Sequence, residues 1–196
     1  MEKNEISKKS ELSLNTIKEV IEDIDYEVIV KIQKLRTKAG NYFWHAISFL
    51  GYPFVWSAIS IIAIIIELYH ITLVLTFAGL SSLIIFPIKM RIERRRPYDK
   101  YKHIRPLTRE KDSSFPSGHT YFATISAMSL AFCYGDILLI LGMLCLSIFV
   151  AISRVYLGVH YPSDVAASLI LGIIVAMIIY LLFPHIMVLH YLVLES

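Results

Sequence analysis

Three short clusters in this sequence hold side chains whose types and spacing suit phosphoryl transfer. Residues 89–97 supply Lys89 and Arg96, residues 116–119 read Pro-Ser-Gly-His, and residues 153–164 supply Ser153, Arg154, His160 and Asp164. His160 and Asp164 are four apart with Pro162 between them, and proline is tolerated in the first turn of a helix. A helix beginning near residues 161–163 places the Asp164 carboxylate within reach of the His160 ring. Such a carboxylate fixes the tautomer and leaves the other ring nitrogen unprotonated, as a nucleophilic histidine requires. Pro116-Ser117-Gly118-His119 precedes an apolar run and reads as a helix start, whose free backbone N–H groups favour an anion. Gly118 leaves room for close approach of a phosphate. His119, with an ordinary imidazole pKa of ~6.5, suits protonation of a leaving oxygen. Arg96 and Arg154 can hold phosphate oxygens with two N–H groups each, and Lys89 acts as a point charge. Taken singly, each of the two histidine-bearing clusters has a plain structural reading as a helix cap beside an incidental or interfacial histidine. Together they form one inventory.

The elements that must position these residues belong to a membrane protein. Hydrophobic residues make up 56% of the 196 positions and mean hydropathy is +0.61, against about 45–50% apolar residues in soluble domains. The net charge of +3 conceals an uneven distribution. Basic residues collect before residue 39 and between Lys89 and Lys111, with Arg154 alone beyond. They alternate with apolar runs instead of lining one soluble surface, which argues against nucleic acid as a partner. Cys133 and Cys145 lie inside apolar segments and read as buried packing. No metal or other cofactor is required by the inventory, because no carboxylate cluster accompanies the histidines. His45, His70, His103, His185 and His190 are scattered and read as interfacial or loop residues.

Residues 1–40 form a charged N-terminal segment, and residues 41–196 a membrane-embedded domain. Within the first, apolar residues at 14, 17, 20–21, 24, 28, 32 and 35 predict an amphipathic helix over 14–35, lying on the membrane or packed on the protein, and ended by Gly40-Asn41. Tyr42, Phe43 and Trp44 read as an interfacial anchor. Five spans are expected at 46–66, 71–88, 120–135, 137–153 and 165–194, with Pro184 dividing the last from a short apolar tail. The fold class is all-α: a helix bundle with about five membrane spans. Five crossings return all three clusters to one face, the side of the N-terminus. All Lys and Arg fall on that side, so the positive-inside rule points it to the cytoplasm. Other cations of residues 89–111, Arg94 among them, read as headgroup or topology charges.

The patterns Lys-x6-Arg-Pro (Lys89, Arg96, Pro97), Pro-Ser-Gly-His (116–119) and Ser-Arg-x5-His-x3-Asp (Ser153, Arg154, His160, Asp164) resemble the three signatures of the type-2 phosphatidic acid phosphatases, which share their site with the vanadium haloperoxidases. The resemblance implies a metal-independent, helical membrane phosphatase acting on a lipid phosphate monoester or diphosphate through a phosphohistidine. His160 would attack phosphorus, Asp164 would orient it, and His119 would protonate the leaving group. Lys89, Arg96, Ser117, Gly118 and Arg154 would bind the phosphate. A lipid phosphotransferase and a non-catalytic lipid-binding scaffold are the alternatives. Integral members commonly have six spans with the active face outside the cytoplasm. Here the charged helix stands in place of the first span, which would turn that face inward.

Overall fold

The structure is a computed structural model and describes the backbone of residues 2–194 and the side chains of residues 15–184. Among the described residues it is entirely helical: α1 Glu2–Lys34, α2 Lys38–Phe49, α3 Pro53–Ile65, α4 Tyr69–Ser81, α5 Ile85–Ile92, α6 Pro97–Lys100, α7 Gly118–Tyr134, α8 Ile137–Tyr156 and α9 Pro162–Leu194. A single 3₁₀ turn, Ser82–Ile84, joins α4 to α5. Three stretches are long and apolar enough to cross a membrane: Tyr69–Lys100, Ile137–Tyr156 and Pro162–Pro184. The pair α2–α3 makes a fourth if its two helices, bent by 52°, count as one span.

α7 is the central element, buried along most of its length and packed chiefly on α9 and α8. Small side chains permit this closeness. A Cβ on Gly172 of α9 would lie 2.9 Å from the Thr124 side chain and 3.3 Å from the Tyr121 carbonyl of α7. Without that glycine the two backbones would have to separate. α7 ends at Gly135, left-handed at φ 70°, and Asp136 caps α8 through the Leu139 N–H at 2.8 Å.

Several boundaries differ from those expected. α1 ends at Lys34, and the turn to α2 is capped by Thr37, whose hydroxyl accepts from the Gly40 N–H at 3.0 Å. Gly40 and Asn41 therefore lie inside α2, as do Tyr42, Phe43 and Trp44. The span expected over 46–66 breaks at residues 50–52, where Pro53 restarts the helix as α3. Pro184 sits within α9, which continues to Leu194 instead of dividing there. Cys145 is exposed on the apolar surface of α8, not buried. On α1, Ile17, Val20, Ile21 and Ile24 are exposed, while the fully buried residues are Asp25 and Ile29, neither of them in the stripe read from the sequence. Ile29 packs with Ile104, Val155 and Val165, a burial worth about 1.5–3 kcal/mol. Leu14, His185 and His190 lie outside the described side chains.

Candidate active site

The start of α7, the end of α8 and the start of α9 meet at one end of the bundle. Ser117 caps α7: its hydroxyl accepts from the Thr120 N–H at 3.5 Å and lies 3.0 Å from the Thr120 hydroxyl. The Ser117 N–H in turn donates to Ser168 Oγ on α9 at 2.8 Å, which ties the two helix starts together. A Cβ on Gly118 would find only the Lys89 amine, 3.9 Å away, so the first turn of α7 faces that cation across open space. Gly51, at the α2–α3 bend, is pressed on His119: a Cβ there would come 2.7 Å from His119 Cβ and 3.0 Å from its carbonyl oxygen. Tyr52 closes the same side, its ring 4.4 Å from the imidazole centroid.

The cations converge. Arg96 is buried and uses its whole fork: Nε donates to the Asp112 carbonyl at 2.9 Å, and Nη1 to the Val159 carbonyl at 2.8 Å. Its Nη2 reaches Asp112 Oδ1 at 2.5 Å and Glu110 Oε2 at 2.7 Å. Arg154 projects from the last turn of α8, donating to Ser48 Oγ at 2.6 Å and pairing with Glu110. Lys89 pairs with Asp112 and donates to the Ser113 carbonyl at 3.3 Å. His160 is fully buried, with Nδ1 2.7 Å from the Ser114 carbonyl. A carbonyl can only accept, so Nδ1 carries a proton and Nε2 faces inward. That nitrogen lies 3.3 Å from Arg96 Nη1 and 3.5 Å from Glu110 Oε2. Two buried nitrogens at the site, His119 Nε2 and Arg154 Nε, have no hydrogen-bond partner.

All eight residues nominated from the sequence thus lie together, but three relationships differ from those expected. First, Asp164 does not hold His160 directly. Its Oδ2 is 3.7 Å from Nδ1 and accepts instead from Ser114 Oγ at 2.5 Å and the Tyr161 N–H at 3.0 Å. Ser114 stands between the two, donating its hydroxyl to Asp164 and accepting His160 Nδ1 on its carbonyl. Second, Arg94 is no headgroup contact: its Nη1 meets Asp164 Oδ1 at 2.5 Å and its Nη2 meets Asp25 Oδ2 at 2.8 Å. Third, sequence reasoning overlooked Glu110. Its carboxylate sits between Arg96 and Arg154 and approaches both histidines, with His119 Nδ1 3.7 Å away. The available signal was a pair of acids, Glu110 and Asp112, inside an otherwise basic loop. Burial pushes the Glu110 carboxyl up, but the His160 contact and the Arg154 and Arg96 charges outweigh it and hold the group well below the usual carboxylate range.

The assembled groups are of the types that can hold an anion: two guanidiniums, an amine, a helix start, an imidazole with an inward nitrogen and a second imidazole beside it, the cations here paired with Glu110 and Asp112. An apolar groove of about 200 Å³, lined by Pro53, Ile85, Phe86 and Phe122, opens onto Gly118 and His119.

Comparison with known proteins bears on the family and the fold. Residues 68–187 match the model of the PAP2 superfamily. An undecaprenyl-diphosphatase from Sulfolobus acidocaldarius is 28% identical over 159 residues, covering 79% of this chain and 72% of that protein. Phosphatidylglycerophosphatase B of Bacillus subtilis is 33% identical over 118 residues, 50% of this chain and 55% of that protein. The crystal structure of a transmembrane PAP2-type phosphatidylglycerolphosphate phosphatase from Bacillus subtilis superposes with a TM-score of 0.72 at 25% identity, covering 82% of this chain and 84% of that one. With a family match over more than half its length, and with these helices and this likeness, the chain is a multi-pass membrane protein that belongs to the PAP2 superfamily.

Proposed function

We propose that this phosphatase hydrolyses a phosphate monoester or diphosphate of a membrane lipid through a phosphohistidine, without a metal. The observation that carries the reading is the inward Nε2 of His160, fixed by its Nδ1 bond to Ser114 and facing a ring of buried cations. In the proposed reaction the Nε2 lone pair attacks phosphorus, forming an N–P bond while the P–O bond to the lipid breaks. The departing electron pair goes to the lipid oxygen, which takes a proton from His119. Water then gives its proton to His119 and attacks phosphorus, the N–P bond breaks, and inorganic phosphate leaves. Lys89, Arg96, Arg154 and the Ser117–Gly118 helix start stabilise the phosphoryl oxygens, the main catalytic contribution in such transfers. The groove beside His119 suits an apolar tail that remains in the bilayer while the headgroup enters the site. Phosphatidate, phosphatidylglycerophosphate, isoprenoid diphosphates and phosphorylated glycolipids share the necessary core.

The test is phosphate release from purified protein with a panel of those lipids between pH 5 and 8. Activity is expected to survive EDTA and to be inhibited by vanadate occupying the phosphate position. Strict dependence on added magnesium, or no release from any lipid, overturns the proposal; transfer of phosphate to an added alcohol in preference to water would make the protein a phosphotransferase.

On topology, the reading is a 41–196 membrane domain of five spans, with α2–α3 and α7 joining the three long apolar stretches, and a charged 1–40 segment whose exposed apolar stripe rests on the membrane surface. α1 contacts the active face at Glu22–Lys100 (2.7 Å) and through the Arg105 N–H to Gln33 Oε1 (2.9 Å), which supports a site on the N-terminal side. The basic residues favour a cytoplasmic location for that side. Single cysteines at Lys102 and Asp136, in a background lacking Cys133 and Cys145, test it in intact cells. An impermeant reagent should label position 136 and spare 102, and the opposite pattern reverses the orientation.

A further inference from the structure

We propose that Asp25, on the N-terminal helix α1, is a positioning residue for the reaction: through Arg94 it holds the Asp164 carboxylate in place behind His160. This rests on the reading of His160 and Asp164 as the reacting pair and its partner. Asp25 is 1% exposed, a position where an unpaired carboxylate would cost several kcal/mol. Its partners belong entirely to the active-site face. Oδ1 accepts from the Ser163 N–H at 2.8 Å, in the first turn of α9, and Oδ2 accepts from Ser163 Oγ and from Arg94 Nη2 at 2.8 Å. Arg94 then reaches Asp164 Oδ1 and, at 2.7 Å, Ser163 Oγ through its other terminal nitrogen, with its guanidinium 4.1 Å from the Tyr161 ring centroid. The planar fork is therefore held at both ends and across its face, and cannot turn without breaking a charge-assisted bond.

The connection continues inward. Asp164 Oδ2 accepts from Ser114 Oγ, and the Ser114 carbonyl accepts from His160 Nδ1. A line of contacts thus runs from α1 to the attacking nitrogen: Asp25, Arg94, Asp164, Ser114, His160. Two carboxylates flank one guanidinium, so this group keeps a net negative charge behind the imidazole. The ring gains positive charge as the N–P bond forms, so the benefit appears in the transition state and not on binding. Residues 2–67 lie outside the stretch that matches the family, so this support is supplied by α1 from beyond it. Simple docking of α1 would not need a buried acid, because Ile29 one turn later and the exposed Glu22–Lys100 pair already serve that purpose.

The experiment compares Asp25→Asn, Glu22→Gln and Arg94→Gln, alone and with Asp25→Asn in the Arg94→Gln background. Each is assayed on undecaprenyl diphosphate and phosphatidylglycerophosphate, with vanadate titration counting folded sites. Per folded site, Asp25→Asn is expected to lower kcat roughly tenfold or more, as loss of orientation can, with KM within about twofold. Glu22→Gln, which loosens the same turn of α1, should leave kcat near wild type. In the Arg94→Gln background, Asp25→Asn should cost much less than it does alone, because the route through Arg94 is already cut and only the Ser163 bonds remain. An equal loss in Glu22→Gln, additive effects of Asp25→Asn and Arg94→Gln, or wild-type kcat in Asp25→Asn overturns the inference. His160→Ala separates this from the underlying reading: an active His160→Ala refutes the catalytic assignment, whereas an inactive one beside a fully active Asp25→Asn refutes the positioning role alone.

Discussion

Replacing His160 by alanine is expected to reduce lipid phosphate hydrolysis at least ~10⁴-fold, the scale on which removing a nucleophile acts. His160 Nε2 is the imidazole nitrogen that faces Arg96, 3.3 Å from its Nη1. His160 is fully buried, and its loss leaves the Ser114 carbonyl without its donor. His160→Asn, whose amide can still donate to that carbonyl, separates chemistry from folding and should be equally inactive while binding vanadate. Rapid quenching of the wild type should trap phosphate on nitrogen, stable in alkali and lost in acid, and both variants should trap none. Substantial turnover by His160→Asn would sink the covalent mechanism.

Glu110→Gln is expected to move two measurements in opposite directions. The carboxylate neutralises Arg96 and Arg154, and exchanging it for an amide should cost about 2 kcal/mol of stability, typical of a hydrogen bond to a charged group. The group is one-fifth exposed and Asp112 shares the load on Arg96, so the cost stays below that of a fully buried pair. Vanadate, by contrast, should bind at least tenfold more tightly, about 1.4 kcal/mol, because it no longer competes with an internal anion. Saturating vanadate should then recover the lost melting temperature through linkage. The pH dependence has a definite sign. A carboxyl held below its unfolded value contributes stability that is fully present above the unfolded pKa of ~4.3 and lost as pH falls toward the depressed one. Between pH 5 and 8 the difference between wild type and Glu110→Gln should therefore be flat. Weaker vanadate binding by the variant would mean that Glu110 assists anion binding instead of opposing it.

The site's principal residues were readable because phosphate chemistry demands particular types at short spacing: Lys89, Arg96, His119, Arg154, His160 and Asp164 each sit at a helix end adjoining an apolar run. Their convergence is what five crossings would give, and the structure places them together at one end of the bundle. What surrounds them was not readable. Ser114 contributes a carbonyl to His160, a backbone atom that every residue possesses, so no letter in the sequence marks it. Arg94 is one of three consecutive arginines, and only the fold shows that its fork turns toward Asp164 while Arg96 turns toward Val159. Asp25 lies on α1, where the apolar period marks Val28 and Ile32, which pack on the core, but gives no sign of a buried acid. The stripe at 17, 20, 21 and 24 is exposed, and the docked face is marked by Asp25 and Ile29. Boundaries shifted for local reasons: Thr37 offered a cap four residues before the expected stop at Asn41, and Pro53 fits a helix start better than a helix interior.

The carboxylate between Arg96 and Arg154 also bears on how a turnover would end. Inorganic phosphate leaves as an anion, and a bare cluster of buried cations would hold it firmly. Glu110 is tethered within the 101–117 loop, which returns it to those cations whatever the solution contains. Its effective concentration at the pocket is set by the chain and not by what the solution holds. Each departing phosphate is therefore replaced by an anion the protein carries with it. On this account product inhibition is weak in the wild type and emerges when the tethered carboxylate is removed, making Glu110 a means of emptying the site.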